Sequence, residues 1–316
     1  MPEIKTPVSP RGRAVAPRLV LWAFFTEAIL AGGNSVAIRF SNRELDPLWG
    51  ASVRFAVAAL LVGLVMAAMK IQVPRGRLLG GAVVYGLFQF AGAFGLYYFA
   101  LVEIQAGLGQ TLLALVPLAT LLLAVTQKLE RLRIAALVGA VISLMGVAVI
   151  SREPLQESIS MTSLVAVLGS VLCFAQALVI VRRLPPVHPV ALNTVGMAAS
   201  VPVLLVASLL RDETIVLPSL PETWVAIAYV AAIGSVVVFL LQVFVVQHWS
   251  ASRTSYVMVL IPIVTVAMSA WLDQEPITFG LLIGGALILF GVYFGALRQR
   301  GITSRRRVAG FPSNGP

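Results

Sequence analysis

Apolar runs long enough to cross a membrane follow one another along almost the whole chain, and they constrain the fold more than any other feature. A helix needs about 20 apolar residues to span ~30 Å of hydrocarbon. By that rule we predict ten membrane-spanning helices, at about 19–38, 48–69, 78–101, 105–127, 132–151, 162–181, 190–210, 223–247, 251–271 and 277–297. A tight turn is placed at Glu103, because the third and fourth runs together are too long for one helix. The predicted fold class is all-α integral membrane.

The composition agrees with lipid as the solvent. Hydrophobic residues make up 59% of the chain and charged residues 11%, whereas a soluble domain carries about 25% charged residues. The formal net charge of +10 would suit a nucleic-acid partner, but the basic residues lie in short gaps and in the tails, without interleaved aromatic residues. We therefore expect membrane lipid, and no nucleic acid, around this protein.

The positions of the basic residues predict the orientation. With the N-terminus in the cytoplasm, 18 of the 23 Lys and Arg residues lie in inside segments and 4 in outside gaps, while Arg54 lies within the second helix. Basic residues are enriched on the cytoplasmic side of membrane proteins. We predict a multi-pass protein of the inner (plasma) membrane with both termini cytoplasmic. The polar tails, 1–17 and 299–316, are predicted to be disordered.

Two stretches of the chain repeat each other. In the first stretch the matching residues are Pro117, Glu130, Gly139 and Gly146, and at an offset of 145 they recur as Pro262, Glu275, Gly284 and Gly291. Earlier in each half the offset is 142, which aligns Asn34 with Gln176 and Pro47 with Pro189. The pattern predicts two five-helix repeats, 18–152 and 160–298.

An odd number of helices in each repeat means that the second repeat enters the membrane from the opposite side. The charges agree, because the gap containing Lys128 is basic and its repeat mate, Leu272–Pro276, is acidic. Inverted repeats are typical of secondary transporters, whose substrate site lies near the bilayer midplane between the halves.

The chain resembles the EamA-type branch of the drug/metabolite transporter superfamily. The residues that carry the resemblance span 18–298 and are Asn34, Pro47, Arg54-Phe55, Ala100-Leu101 and the two matched stretches from Pro117 and from Pro262. The resemblance implies export or exchange of metabolites, amino acids or drugs, often coupled to an ion gradient. It does not specify the substrate.

Sequence motifs for other chemistry do not occur. The chain has no P-loop, no H-E-x-x-H metal motif and no G-x-S-x-G nucleophile elbow, and its two histidines lie near predicted helix ends. We expect no cofactor, no metal and no enzymatic activity.

Glu27 and Arg54 are the charged residues predicted to lie deep within helices, where a charge costs roughly 2.5–3.5 kcal/mol. Glu27 shares a helix face with Asn34. A buried carboxyl group can exchange a proton, and small four-helix members of the superfamily carry a proton- and drug-binding Glu in their first helix. Arg54 requires a partner, which could be Glu27 or an anionic group of the substrate. The alternatives are a hydrogen-bonded structural Glu27 and a structural clamp at Arg54.

Uncharged polar residues complete the predicted site. Besides Glu27, Asn34 and Arg54, the predicted substrate-binding residues are Gln89, Tyr97, Gln176 and Gln242. Helix packing is the alternative role for the glutamines, and an interfacial aromatic belt is the alternative for Tyr97. Pro117 and Pro262 are predicted hinges, because a proline inside a helix removes a backbone hydrogen bond.

These features predict a secondary transporter that exports or exchanges a small solute by alternating access, with proton coupling as one option. Two alternatives are a lipid-modifying membrane enzyme, for which no catalytic cluster is visible, and a non-transporting scaffold. A monomer of ten helices is enough to enclose a cavity, and a homodimer is left open.

Overall fold

The structure, a computed structural model, describes residues 17–129, 134–151, 160–238, 240–241, 244–245 and 257–294. Within these ranges the regular secondary structure is helical, and no strand occurs. The predicted tails (apart from Pro17), Glu130 and Gln242 lie outside the described residues.

The helices follow the predicted order. In the first half they are α1 (Pro17–Asn42), α2 (Pro47–Ala68), α3 (Arg77–Ala100), α4 (Ala106–Thr126) and α5 (Ile134–Ser151). In the second half they are α6 (Met161–Arg183), α7 (Pro189–Leu210), α8 (Pro221–Val237), α9 (Val257–Leu272) and α10 (Phe279–Val292). Six of them, α1 to α4, α6 and α7, are long and apolar enough to cross a bilayer. The apolar segments within the other four, such as Leu137–Ile150 of α5, are 10–17 residues long. The all-helical, multi-span fold is confirmed, and the count of ten spans stays a prediction.

Two boundaries bear on function. The turn predicted at Glu103 is confirmed, since residues 101–105 separate α3 from α4. Helix α1 continues about one turn beyond the predicted end at residue 38, so Arg39 lies in its last turn rather than in a gap. Polar contacts support this extension: Asn42 donates to the Tyr98 carbonyl at 2.9 Å, and Arg39 donates to the Ile104 carbonyl at 2.7 Å.

The internal repeat reappears in irregular features of the backbone. Helices α2 and α7 each begin at a proline and each contain 22 residues. A π-helical segment lies within α3 at Leu87–Phe94, and a second lies within α8 at Tyr229–Val237, again at the offset of 142. Because π-helical turns are rare and concentrate at functional sites, their recurrence at one register supports two related halves.

Close packing between the halves depends on glycines. Helix α5 packs on α10, and a β-carbon on Gly146 would meet the Gly284 backbone. Helices α2 and α3 pack on α7, where Gly86 lies against the Gly196 backbone. Small residues let membrane helices approach closely enough for extensive van der Waals contact.

The two predicted hinge prolines differ in their surroundings. Helix α4 is divided into Ala106–Leu113 and Val116–Thr126, and Pro117 lies in the first turn of the second segment. Pro262 lies inside α9, which is continuous over Val257–Leu272. A division beside Pro117 is expected, because proline disrupts the preceding helical turn. The hinge role of both prolines stays a prediction.

Candidate functional site

Arg54 is the centre of the best-defined polar site. It points from α2 toward α1 and α8, and its side chain is buried, with 1% exposure. Its Nη2 donates to Asn34 Oδ1 at 3.3 Å, and Nε and Nη2 each lie 3.4 Å from Ser235 Oγ. Two of the predicted site residues, Asn34 and Arg54, therefore lie in contact. Their neighbour Ser235 was not among the predicted site residues.

The π-helical segment of α8 positions Ser235. Its hydroxyl donates to the Val230 carbonyl, five residues earlier, at 2.8 Å, so its lone pairs are left to face the guanidinium. The preceding residue is Gly234, where any side chain would collide with the Asn34 amide. Glycine at 234 thus allows α8 to approach α1 closely enough for Asn34, Arg54 and Ser235 to meet.

Aromatic rings form the rest of the Arg54 environment. The guanidinium carbon lies 4.6 Å from the Phe94 ring centroid, 5.1 Å from that of Phe55 and 6.0 Å from that of Tyr98. These distances fall within the range of cation–π attraction. Among the described residues, no carboxylate lies within 4.0 Å of Arg54, and its Nη1 is buried without a hydrogen-bond partner. Within the described part of the chain, Arg54 therefore has no counter-charge within 4.0 Å, and Nη1 is a donor without an acceptor.

Glu27 lies two helical turns from Asn34 on the same face of α1 and is also buried, with 1% exposure. Within the described part of the chain, Glu27 forms no ion pair with Arg54, and its Oε2 has no hydrogen-bond partner. The neighbouring Ala28 packs with Val245 and Val257 in a small apolar cluster. The two buried charges are thus separate sites in this structure, each with an unsatisfied atom.

Tyr97 belongs to a hydrogen-bonded chain that connects α3, α1 and α4. Its hydroxyl lies 2.8 Å from Ser35 Oγ, and Ser35 donates to Gln110 Oε1 at 2.8 Å. Since the Ser35 proton is directed to Gln110, Tyr97 is the donor to Ser35. With 1% exposure, Tyr97 is buried within the protein rather than in an interfacial aromatic belt. Ser35 and Gln110 were not among the predicted site residues.

The remaining predicted residues lie elsewhere. Gln176 accepts from Gln127 Nε2 at 2.6 Å, a contact between α6 and the end of α4. Gln89 is half-buried in the π-helical segment of α3. Gln242 lies outside the described residues. The structure therefore brings Asn34 and Arg54 together, and places Glu27, the Tyr97 chain and Gln176 at separate positions.

A bundle of apolar helices in two related halves, with a buried charge such as Arg54 between them, is typical of membrane transporters. Comparison with known proteins makes this specific. The EamA-like transporter family matches residues 18–152 and again residues 161–296, so the chain belongs to this family. The resemblance drawn from the sequence is confirmed.

Curated relatives match nearly the full chain. An uncharacterized transporter from Archaeoglobus fulgidus is 28% identical, over 84% of this chain and 93% of its own. A probable amino-acid metabolite efflux pump from Escherichia coli is 25% identical, over 86% of this chain and 93% of its own. A solved protein structure has a TM-score of 0.62 at 16% identity and covers 93% of this chain and 100% of its own, which shows a shared fold. The protein is a multi-pass membrane transporter of the EamA type.

Proposed function

We propose that the protein is a secondary transporter of the inner membrane that exports or exchanges small metabolites bearing a carboxylate. Its ten spans would form two inverted five-helix repeats that alternate access to a site at Arg54. The amino-acid metabolite efflux pump among the relatives supports this substrate class. Both termini would be cytoplasmic, as the excess of basic residues in the inside segments predicts.

The observation that supports this proposal is that the Arg54 guanidinium forms no ion pair among the described residues. A buried arginine without a counter-charge is unfavourable, and an anionic ligand removes that penalty. Arginine binds a carboxylate through two parallel hydrogen bonds, and Nη1 has no protein partner among the described residues. Asn34 and Ser235 bind Nη2 and Nε of the guanidinium, which leaves Nη1 as the donor that would bind the carboxylate.

The test first compares metabolites accumulated by cells with and without the protein, without preselecting candidates. Binding to purified protein is then measured for each accumulated acid and for its methyl ester. We expect the free acid to bind and the ester to bind at least about 30-fold more weakly, since losing a buried charged partner costs roughly 2–5 kcal/mol.

Variants at Arg54 complete the test. Arg54→Lys should weaken binding, because a point charge replaces a planar fork, and Arg54→Gln should remove the preference for acid over ester. Arg77→Gln, at an exposed position that opens α3, is the matched control. Equal binding of acid and ester by the unaltered protein would refute the Arg54 site. Absence of any transported solute would favour the scaffold or the lipid-modifying enzyme.

A further inference from the structure

One end of the bundle carries a concentration of carboxylates that all reach across to the opposite half. We call it the acidic end; its residues are Glu44, Asp46, Glu103, Glu213, Asp273 and Glu275. These are six of the nine Asp and Glu residues that the structure describes. Each one accepts hydrogen bonds from, or forms an ion pair with, the half to which it does not belong.

Acids of the first half bind the second half. Glu44 accepts from the backbone N–H groups of Ser219 at 2.5 Å and Leu220 at 3.2 Å, immediately before α8. Glu103 accepts from the Ser160 N–H at 3.1 Å, at the start of α6. Asp46 accepts from the N–H and the hydroxyl of Thr214, each at 2.7 Å.

Acids of the second half bind the first half in the same way. Glu213 accepts from the N–H groups of Leu48 at 3.2 Å and Trp49 at 2.8 Å, in the first turn of α2. Glu275 accepts from the N–H groups of Ala106 at 2.8 Å and Gly107 at 3.3 Å, in the first turn of α4. The first turn of a helix has unpaired N–H groups and a positive dipole end, so a carboxylate there is favourable.

An ion-pair cluster lies farther along α1 than Asn34, at the acidic end. Asp273 pairs with Arg39 at 3.0 Å and with Arg43, and Arg39 Nε also lies 3.0 Å from Glu275. Arg39 is one helical turn beyond Ser35 on α1, so the cluster follows directly on the hydrogen bonds of Ser35 with Tyr97 and Gln110. Along α1 toward the acidic end, the hydrogen bonds of Ser35 and then the ion pairs of Arg39 thus join α1 to its neighbours.

We propose that these six carboxylates form the gate at the acidic end, that the structure shows this gate closed, and that the cluster of Asp273 and Glu275 on Arg39 is its central latch. The inference rests on the proposed alternating access between halves. A solute that leaves Arg54 toward the acidic end must first separate the halves there. That separation exposes four helix starts and breaks the ion pairs.

The reporter for the gate is a cysteine at Ser269. Ser269 is buried on α9 one turn below Asp273, and its hydroxyl bonds to the Val266 carbonyl within its own helix, so replacement by cysteine is mild. The single native cysteine, Cys173, is first replaced by serine. The full chain is placed in nanodiscs, which leave both faces open to a membrane-impermeant thiol reagent, and the labelling rate is measured.

We expect Asp273→Asn to raise the labelling rate about tenfold, which corresponds to about 1.4 kcal/mol. Glu213→Gln, which weakens a different contact, should raise it less. Glu222→Gln is the matched control, because Glu222 is an exposed acid in the first turn of α8 and lies outside the six. All variants are checked for a single species by gel filtration.

Equal labelling rates in the unaltered protein, Asp273→Asn and Glu213→Gln would overturn the gate. If Asp273→Asn fails to fold, Glu213→Gln alone decides the outcome. The assay needs no solute, so the two proposals fail separately. Faster labelling without any carboxylate-dependent binding would support the gate and refute the proposed function. Carboxylate-dependent binding with unchanged labelling rates would refute the gate alone.

Discussion

The acidic end and the opposite end of the bundle close by different chemistry, although the repeat relates their backbones. Position 46 is an aspartate that precedes α2 and binds Thr214 of the other half, while α2 itself is capped by Glu213. Its repeat mate, His188, precedes α7 and caps its own helix, accepting from the Val190 N–H at 3.3 Å. The start of α2, at the acidic end, is therefore capped by a residue of the other half. The start of α7, its repeat mate, is capped by the residue that directly precedes it.

The opposite end is basic, and we call it the basic end; it comprises the connections 69–76, 127–133 and 184–188. Polar contacts that join the halves there include Gln127 with Gln176, and Arg183 donating to the Gln127 carbonyl at 3.2 Å. The repeat mate of Asp273 there is Lys128, and the mate of Glu44 is Pro186. Asp273 of the latch and Glu44 of the gate therefore have no acidic mates, whereas the mate of Glu275 is Glu130.

This difference shows that the repeat determines where the helices begin. Single residues determine which contacts join the two halves at each end. The two access states consequently need not be equal in energy. At the acidic end, the contacts between the halves include ion pairs of Asp273 and Glu275 with Arg39.

The largest effect is expected at Glu27, the buried carboxyl on the basic side of Arg54. If Glu27 carries the coupled proton, Glu27→Gln should abolish accumulation driven by a pH gradient and retain solute exchange, because the amide keeps the shape but cannot titrate. The measurement is solute flux in proteoliposomes with and without a gradient. Unchanged gradient-driven flux would show that the coupled proton binds elsewhere, and the carboxylates of the acidic end would then be the next candidates.

A smaller effect on stability should distinguish the two ends directly. Glu275→Gln removes the charge that binds Arg39 and the first turn of α4, and we expect the free energy of unfolding to fall by about 2–3 kcal/mol. Gln127→Ala removes a neutral contact at the basic end and should lower it by about 1 kcal/mol. Unfolding in mixed detergent micelles measures both. A larger loss for Gln127→Ala would reverse the comparison.

The smallest effect concerns pH at the acidic end. Hydrogen bonds from the side chains of Ser219 and Thr223, and from the Ser219 N–H, lower the pKa of Glu44 from 4.5 to about 2. Side-chain bonds from Ser160 and Ser163 likewise lower the pKa of Glu103. A lowered pKa gives stabilisation that is complete above the ordinary value and is lost as the pH falls toward the lowered one.

We therefore expect the stability difference between the unaltered protein and Glu44→Gln to be the same at pH 8 and pH 5. It should shrink below about pH 4.5. The thermal unfolding midpoints of both proteins, recorded at each pH, provide the difference. A difference that already shrinks between pH 8 and pH 6 would mean that protons open this end of the bundle under mild conditions.

The sequence by itself determined the helices, the repeat and the family. Hydrophobic run length and the placement of proline are local properties, so Pro47 and Pro189 mark helix starts without knowledge of any neighbour. The turn at Glu103 followed from the same reasoning about length. The matched glycines were also visible in the sequence, although their contact across the halves was not.

The tertiary structure alone decided which polar residues meet. Glu213 binds the start of α2 from 164 positions away, and Arg39 meets Asp273 across 234 positions. The sequence offered Glu27 as one partner for Arg54, but the actual partners depend on how α1, α2 and α8 pack, and Gly234 permits that packing. Local periodicity identifies which face of a helix is apolar. Periodicity does not indicate which of several helices with equally apolar faces packs against a given helix. The packing partners of each helix determine both the Arg54 site and the acidic end.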